Sequence, residues 1–477
     1  MSNYKLIIMS AMKNLFLCCI VGLTVCSCAN DSSKSTVTIP VKLGDKWGII
    51  DENGSYIINP QYEKTFPFED GLAAVKLDDK WGFVNMDGKR VINPQFEEVG
   101  SFSEGLAAIQ IADKWGFVNK KGKNVIEPKF DIVKPFKEGR AVVFINQSDE
   151  HYVDKSGRIF SEGKYGYIDK KGNFIIEPQF DIAWPFSGNV AAVMIDGKWG
   201  FVNKSGRMVV EPQFSEVYPF FNGLTAVNRE GKWGYMNNAG KMIVEPQFDD
   251  AWPFKDGLAS VEINGKWGYI DKKGKYVIEP QFDMAWPFSE GLAAIMINRK
   301  LGFIDAKGKI VINPQFESGR PFAKGLAAVE YNGDWGYIDK TGKYVVEPQY
   351  SNDAFSFTDC GLAFVEASGG DCLLDNTGQV VVEPRRRISY LMYGKTIFSI
   401  DENISRYQEK WGIIDNKGNT ILNPQFDDIY GDYKEFAYYL IEADQCEYDY
   451  SYSKEAVPCF IGADFEYTMD FVNLLRY

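Results

Sequence analysis

Histidine is almost absent from this chain: there is one, His151, in 477 residues. Cysteine is scarce as well. Cys18, Cys19, Cys26 and Cys28 crowd into the N-terminus, and only Cys360, Cys372, Cys446 and Cys459 follow. These shortages exclude the usual zinc sets, which need Cys and His clustered at short spacing. No glycine-rich loop opens a helical pattern, so a phosphate cradle is not expected. The N-terminal apolar run, Leu15 to Thr24, falls short of the roughly 20 residues that a membrane-spanning helix requires. Positive charge is in deficit too, with a formal net charge of −13, which argues against nucleic acid or anionic lipid as a partner.

What the chain has in abundance is itself. The pair Trp47-Gly48 recurs as Trp81-Gly82, Trp115-Gly116, Trp199-Gly200, Trp233-Gly234, Trp267-Gly268, Leu301-Gly302, Trp335-Gly336 and Trp411-Gly412, and the clearest copies fall 34 residues apart. Such a period marks a supersecondary unit that buries its apolar face only by stacking on its neighbours.

Residues 257–290 show the unit. Three β-prone runs, Leu258–Ile263, Trp267–Asp271 and Lys275–Glu279, are separated by Asn264-Gly265 and by Asp271-Lys272-Lys273-Gly274, both hairpin signals. Pro280 ends the third run, and Gln281 to Glu290 carry the chain onward. The spacing predicts an all-β fold: about twelve three-stranded antiparallel meanders in a curved open array, with two propeller-like halves as the alternative. The count of twelve includes degenerate copies near 149–164, where Gly157 marks the hairpin, and near 371–410. The array spans 38–442, and 443–477 is expected to cap its last edge.

The combination Lys-Trp-Gly-Tyr-Ile-Asp-Lys-Lys-Gly-Lys followed by Val-Ile-Glu-Pro-Gln-Phe resembles the WG-repeat family of bacterial proteins over roughly residues 38–442. The resemblance implies an all-β repeat protein, often exported, with no common activity. The N-terminus, Lys13, then Leu15 to Thr24, then Val25-Cys26-Ser27-Cys28, resembles a bacterial lipoprotein signal. That likeness implies cleavage after residue 27, lipid on Cys28 and a tether over 28–37. Ala29 lacks the acid that retains some lipoproteins at the inner membrane, so the outer membrane is expected. In an oxidising compartment Cys446 and Cys459 are the candidate disulfide. A Cys360–Cys372 bond is not expected, because a hairpin turning at 368–371 sets Cys372 opposite about residue 366, beyond disulfide reach of Cys360.

Catalytic candidates are poor. His151 replaces a repeat glycine and reads as a drifted surface residue. Asp51, Asp169, Asp271, Asp305, Asp339 and Asp415 share one repeat position with Asn85, Asn119, Asn203 and Asn237. A side chain that is either acid or amide is wanted for hydrogen bonding, not for protons. Glu127, Glu177, Glu211, Glu245, Glu279, Glu347 and Glu383 alternate with asparagines in the same way and read as structural acceptors. No catalytic residue, metal or cofactor is expected.

The eleven tryptophans occupy two repeat positions. Trp47, Trp81, Trp115, Trp199, Trp233, Trp267, Trp335 and Trp411 open the Trp-Gly pair and are expected in the core. Trp184, Trp252 and Trp286 precede Pro-Phe in the crossover, where other copies carry Phe66, Gly100, Lys134, Tyr218, Arg320 and Phe355. A position that admits glycine, lysine and arginine is expected to be at least half exposed. Trp184, Tyr218, Trp252 and Trp286 then form either an exposed ladder for a glycan or cell-wall polymer, or staples between repeats. The leading functional expectation is a non-enzymatic scaffold for protein partners, held to a membrane by its lipid alone.

Overall fold

The computed structural model describes residues 38–153, 159–358, 361–367, 370–392, 395–400, 410–415 and 417–429; the expected signal, tether and cap, and Cys446 and Cys459, lie outside them. Every regular element in these residues is a β-strand. The strands form nine four-stranded sheets and one of seven strands. In a regular sheet, Asp250–Ala251, Leu258–Ile263, Lys266–Asp271 and Tyr276–Phe282 lie side by side in chain order. The three runs expected from the sequence are present, and a fourth, two-residue strand from the preceding crossover joins them. Its pairing is Asp250 with Glu262 and Ala251 with Val261. The meander is therefore four-stranded, not three-stranded, because the crossover docks on the next sheet instead of spanning freely between sheets.

Two glycines of a regular unit serve different purposes. Gly274 closes the hairpin at φ +80, and its N–H donates to the Asp271 carbonyl at 2.9 Å. The Asp271 carboxylate accepts the N–H groups of Lys273 at 2.8 Å and Lys275 at 3.0 Å. Asn237 does the same for Ala239 and Lys241, which explains why acid and amide exchange freely at this position. Gly268 of the Trp-Gly pair is needed for space. Opposite it the third strand bulges, so that Trp267 faces Phe282 while Tyr269 faces Ile278. A Cβ on Gly268 would sit 2.6 Å from the Ile278 carbonyl oxygen and 2.7 Å from the Pro280 nitrogen.

Each sheet covers its apolar side with the next sheet. Trp267, Tyr269, Ile278 and Phe282 pack on Ala285, Phe288, Ala293, Ile295 and Ile304 of the following sheet. Alanines in the second strand let the backbones approach, and Phe288 sets its ring 4.9 Å from Tyr269. The same junction recurs in eleven clusters. The last joins Ile413 and Phe426 to Ile39, Val41 and Ile50. Asp428–Ile429 pairs antiparallel with Thr38–Leu43, Val41 facing Ile429 and Lys42 facing Asp428. Asp427 accepts the Gly44 N–H at 2.8 Å, and a Cβ on Gly54 would meet Leu422 at 2.6 Å. The two ends of the array are joined. An open array leaves one junction unmade, and two separate halves would interrupt the series; neither holds here. Thr38–Leu43 takes the strand position beside Asp428–Ile429, and the cap expected over 443–477 lies outside the described residues.

Among the described residues the count is eleven units, not twelve. Ala141–Val153 and Ile159–Ile168 form one long hairpin with His151 facing Ser161 and a register shift between Asn146 and His151, so the copy expected near 149–164 is an extension of an existing unit. Near 371–410 the repeat is a true one. Val380–Met392 serves as third strand of one unit and then pairs with Lys395–Ile400 of the next, which merges two units into the seven-stranded sheet. Cys372 is buried opposite Val365, one residue from the expected register, while Cys360 lies outside the described residues.

Gly268→Ala is expected to lose more stability than Gly257→Ala. The first forces a Cβ into backbone at a cost of about 3 kcal/mol; the second meets nothing within 4 Å and carries only the strain of φ +86, about 1–2 kcal/mol. Denaturant unfolding of the two variants measures the order.

Candidate interaction surface

The crossover aromatics are held by the two-residue strand beside them. The N–H of Trp252 donates to Ser260 and that of Trp286 to Ala294, both at 3.0 Å, and Trp184 and Tyr218 bond in the same way to Ala192 and Ala226. This lays each side chain over the Trp position of its own sheet. Tyr218 stacks on Trp233 at 4.8 Å and 18°, Phe66 on Trp81 at 4.8 Å and 26°, and Trp184 tilts against Trp199 at 4.8 Å. Trp286 shares a core cluster with Leu301, the one leucine at that position. Trp252 and Trp286 are 2% and 6% exposed; Trp184 and Tyr218 are half-buried.

The four residues therefore do not make an exposed ladder. Variability at this position predicts exposure, and Arg320 shows why that expectation fails. Its guanidinium lies 5.6 Å from the Trp335 ring and 4.9 Å from the Phe355 ring, bonds Asp353 at 2.9 Å and donates to the Ala354 carbonyl at 2.7 Å. A flat cation replaces a flat ring on the same shelf. The staple also differs from the expected one. The crossover aromatic packs within its sheet, and the Phe of Pro-Phe makes the bridge to the preceding sheet, as in Tyr235–Phe254 and Phe303–Phe322. Where the residue after Trp-Gly is tyrosine, its hydroxyl adds a bond across the junction: Tyr269 donates to the Trp286 carbonyl and Tyr235 to the Trp252 carbonyl, both at 2.7 Å. Burial pushes both phenols well above their ordinary range.

Of the Trp-Gly tryptophans, Trp47, Trp81, Trp199, Trp233, Trp267 and Trp335 are buried, and Trp115 and Trp411 are partly so. Glu177, Glu211, Glu279 and Glu347 are exposed rather than tied into turns. The recurrent polar work is done by other acids. After most third strands, though not where Ser215 and Ser351 stand, an acid accepts from the next sheet's first hairpin and pairs with the lysine before Trp-Gly: Asp283 accepts the Asn298 N–H at 2.7 Å and pairs with Lys266 at 2.7 Å. At the opposite end of the strands, Glu290 accepts the Gly325 N–H at 2.9 Å and pairs with Lys340 at 3.2 Å. Asp70, Glu104 and Glu138 repeat that clasp with Lys120, Lys170 and Lys204. Recurrence of a carboxylate just before the strand-opening glycine was the signal available for them. Among the described residues, no group of three His, Cys, Asp or Glu is placed to hold a metal ion, and no helix is long and apolar enough to cross a membrane.

The Trp-Gly pair, the bulge it accommodates and its tandem recurrence decide the kinship. The chain belongs to the WG-containing repeat family. Matched stretches are 47–81, 81–115, 115–147, 165–199, 199–233, 233–267, 267–300, 302–333, 335–369 and 411–442. The gaps fall at the long hairpin and at the Val380–Met392 strand. No curated protein matches the chain. Among solved structures, a eukaryotic initiation factor is similar at TM-score 0.39 and 10% identity, over 83% of this chain and 97% of that one. The extracellular domain of a putative hybrid two-component system from B. thetaiotaomicron aligns at TM-score 0.27 and 13% identity, over 82% of this chain and 63% of its own. The tricorn protease aligns at 0.22 and 15%, over 80% and 49%.

Trp286→Ala is expected to cost about 3–5 kcal/mol, as for a buried core ring, and Tyr269→Phe about 1 kcal/mol for one buried hydrogen bond; equilibrium unfolding checks both. A pH series checks the clasps. Burial works to raise the Glu104, Glu138 and Glu290 carboxyls, yet lysine and backbone N–H partners outweigh it and hold each below its usual range. Their contribution is present above the unfolded carboxylate pKa, about 4.3, and is lost as pH falls through the lower folded values. The triple glutamine variant should therefore lose its deficit against wild type in acid.

Proposed function

We propose that this chain is an exported protein, anchored to the outer membrane by lipid on Cys28, whose eleven units stand as blades of a propeller-like ring and serve as a non-enzymatic scaffold for a protein partner. The N-terminal signal pattern supports the anchor, and the joined ends support the ring. The scaffold reading rests on one observation. Val277, Val311 and Val345 occupy one repeat position on the edge strands of three consecutive sheets and remain 38–43% exposed. Ile310, on the same strand as Val311, is 41% exposed. A repeated apolar strip of this kind suits a partner that spans several units. Pro280, Pro314 and Pro348 lie in the same strands and interrupt the ladder donors, which discourages edge-to-edge aggregation. A glycan ladder has less support, since Trp252 and Trp286 are buried.

The test is affinity capture from the native envelope with wild type and with Val277, Val311 and Val345 changed together to Glu. Loss of one reproducible partner from a variant that melts as wild type supports the scaffold, and unchanged capture rejects this strip. Labelled acyl chains should enter the wild-type protein and not Cys28→Ser.

A further inference from the structure

Three recurrent bonds tie one sheet to the next. They are the acid after the third strand with its lysine, the acid before the strand-opening residue with its lysine, and the tyrosine hydroxyl on a crossover carbonyl. Between the sheet that ends at Met208–Phe214 and the one that begins at Glu216–Val217, all three are missing. Ser215 stands where Asp249 and Asp283 stand in other copies, and Gly188 where Glu104, Glu138 and Glu290 stand. Asn238 replaces the lysine of Lys170, Lys204 and Lys340, and Phe201 replaces the tyrosine of Tyr235 and Tyr269. Neutral or exposed bonds take their place: the Ser215 hydroxyl donates to Asn228 Oδ1 at 2.8 Å, and Arg229 to Gln213 at 3.1 Å. Ser351 repeats the first loss, but there the Tyr337 hydroxyl donates to the Phe355 carbonyl and Arg320 pairs with Asp353, both across the junction. Between separate sheets, no other junction among the described residues lacks all three.

The packing at this junction is looser as well. Phe201 and Phe220 are 5.3 Å apart, whereas Phe117–Phe136 and Phe303–Phe322 are at 4.8 and 4.9 Å. Phe220 and Val210 are partly exposed, while their counterparts Phe254, Phe288, Val244 and Ile278 are buried. Counting along the chain, five units precede Ser215 and six follow it. The junction therefore lies across the ring from the pairing of Thr38–Leu43 with Asp428–Ile429, which joins the two sheets that are not consecutive in the chain. Two stiff arcs part at an unlinked joint only by bending at another, and a given gap needs the smallest bend at the joint farthest from it. Cross-junction ion pairs fix orientation, so a hinge is least opposed where they are missing.

We propose that the junction at Ser215 is a hinge about which the ring opens at its terminal closure, the five and the six units turning as two arcs. The inference rests on the joined ends and not on what the valine strip binds.

Buried valines report the motion. Val193, Val227 and Val261 hold one repeat position, are 0% exposed and face the preceding sheet in three successive junctions. Each is changed alone to Cys in the full-length chain, and thiol labelling is read at its own peptide by mass spectrometry, which separates it from native cysteines. Val227→Cys should label about tenfold faster than Val193→Cys or Val261→Cys. Adding Ser215→Asp sets an acid in register with Lys198 and the Glu230 N–H, as Asp249 is with Lys232 and Asn264, and should bring Val227→Cys close to the other two rates. Asp427→Ser removes the carboxylate that Gly44 and Lys410 share at the closure. It should quicken Val227→Cys about threefold or more and leave Val193→Cys and Val261→Cys unchanged. Hydrogen exchange on the unaltered chain needs no substitution: the Ser215 amide, bonded to the Asn228 carbonyl, should be protected about tenfold less than those of Asp181 and Asp249, bonded to Met194 and Glu262. Equal labelling of the three valines, no slowing by Ser215→Asp, an Asp427→Ser effect on all three alike or on none, or equal protection of the three amides would each overturn the proposal.

Discussion

A single sheet of this protein cannot bury its own aromatic residues. Trp267, Tyr269 and Phe282 lie on one sheet, and what removes them from water is the alanine-lined strand and the Pro-Phe ring of the next. Every other feature follows from this dependence. The crossover must return to the following sheet at a fixed place, so it donates two residues to that sheet's ladder and a phenylalanine to the junction. Because each junction is made by different residues of the same kind, removing one leaves two faces open to water. The pairing of Asp428–Ile429 with Thr38–Leu43 avoids that at the ends of the array.

Such packing restricts the backbone as much as the side chains. The bulged third strand passes close to the second where glycine follows tryptophan, and the same carbonyl contact recurs at 2.4–2.7 Å for Gly48, Gly116, Gly200 and Gly336; Cys372 takes this place in one copy that lacks the tryptophan. The hairpin glycine answers to two constraints at once: a left-handed φ, and a neighbour's side chain at the place a Cβ would take, as Val244 at 2.5 Å from Gly274. The ion pairs at both ends of the strands add orientation more than energy. Most are partly exposed, as Lys266–Asp283 is at 50% and 39%, and such pairs contribute at most about 1 kcal/mol each.

Much of the unit was legible in the chain. Strand runs, both hairpins and the exchange of Asp271-type acids with Asn237-type amides can be read locally, because each depends on residues within about four positions. The candidate surface was less so. Trp252 and Trp286 sit beside prolines in what reads as a connecting loop, and nothing local shows that Ser260 and Ala294 bind their backbones. Arg320 reads as a surface residue until Trp335, Phe355 and Asp353 are seen around it. Position-by-position comparison of the repeats identifies what varies, but a ring and a guanidinium that occupy the same shelf look like tolerance of exposure.

The sequence by itself determined the repeat, its strands and the turns between them, since propensity, glycine placement and alternation act over a few residues. Tertiary structure decided the rest: that each meander has a fourth strand, that eleven units and not twelve are present among the described residues, and that the first and last of them are joined. Those outcomes depend on contacts between residues tens to hundreds apart, such as Val41 with Ile429. No local pattern announces them, because the closing strand Thr38–Leu43 lies at the opposite end of the array from the unit it completes.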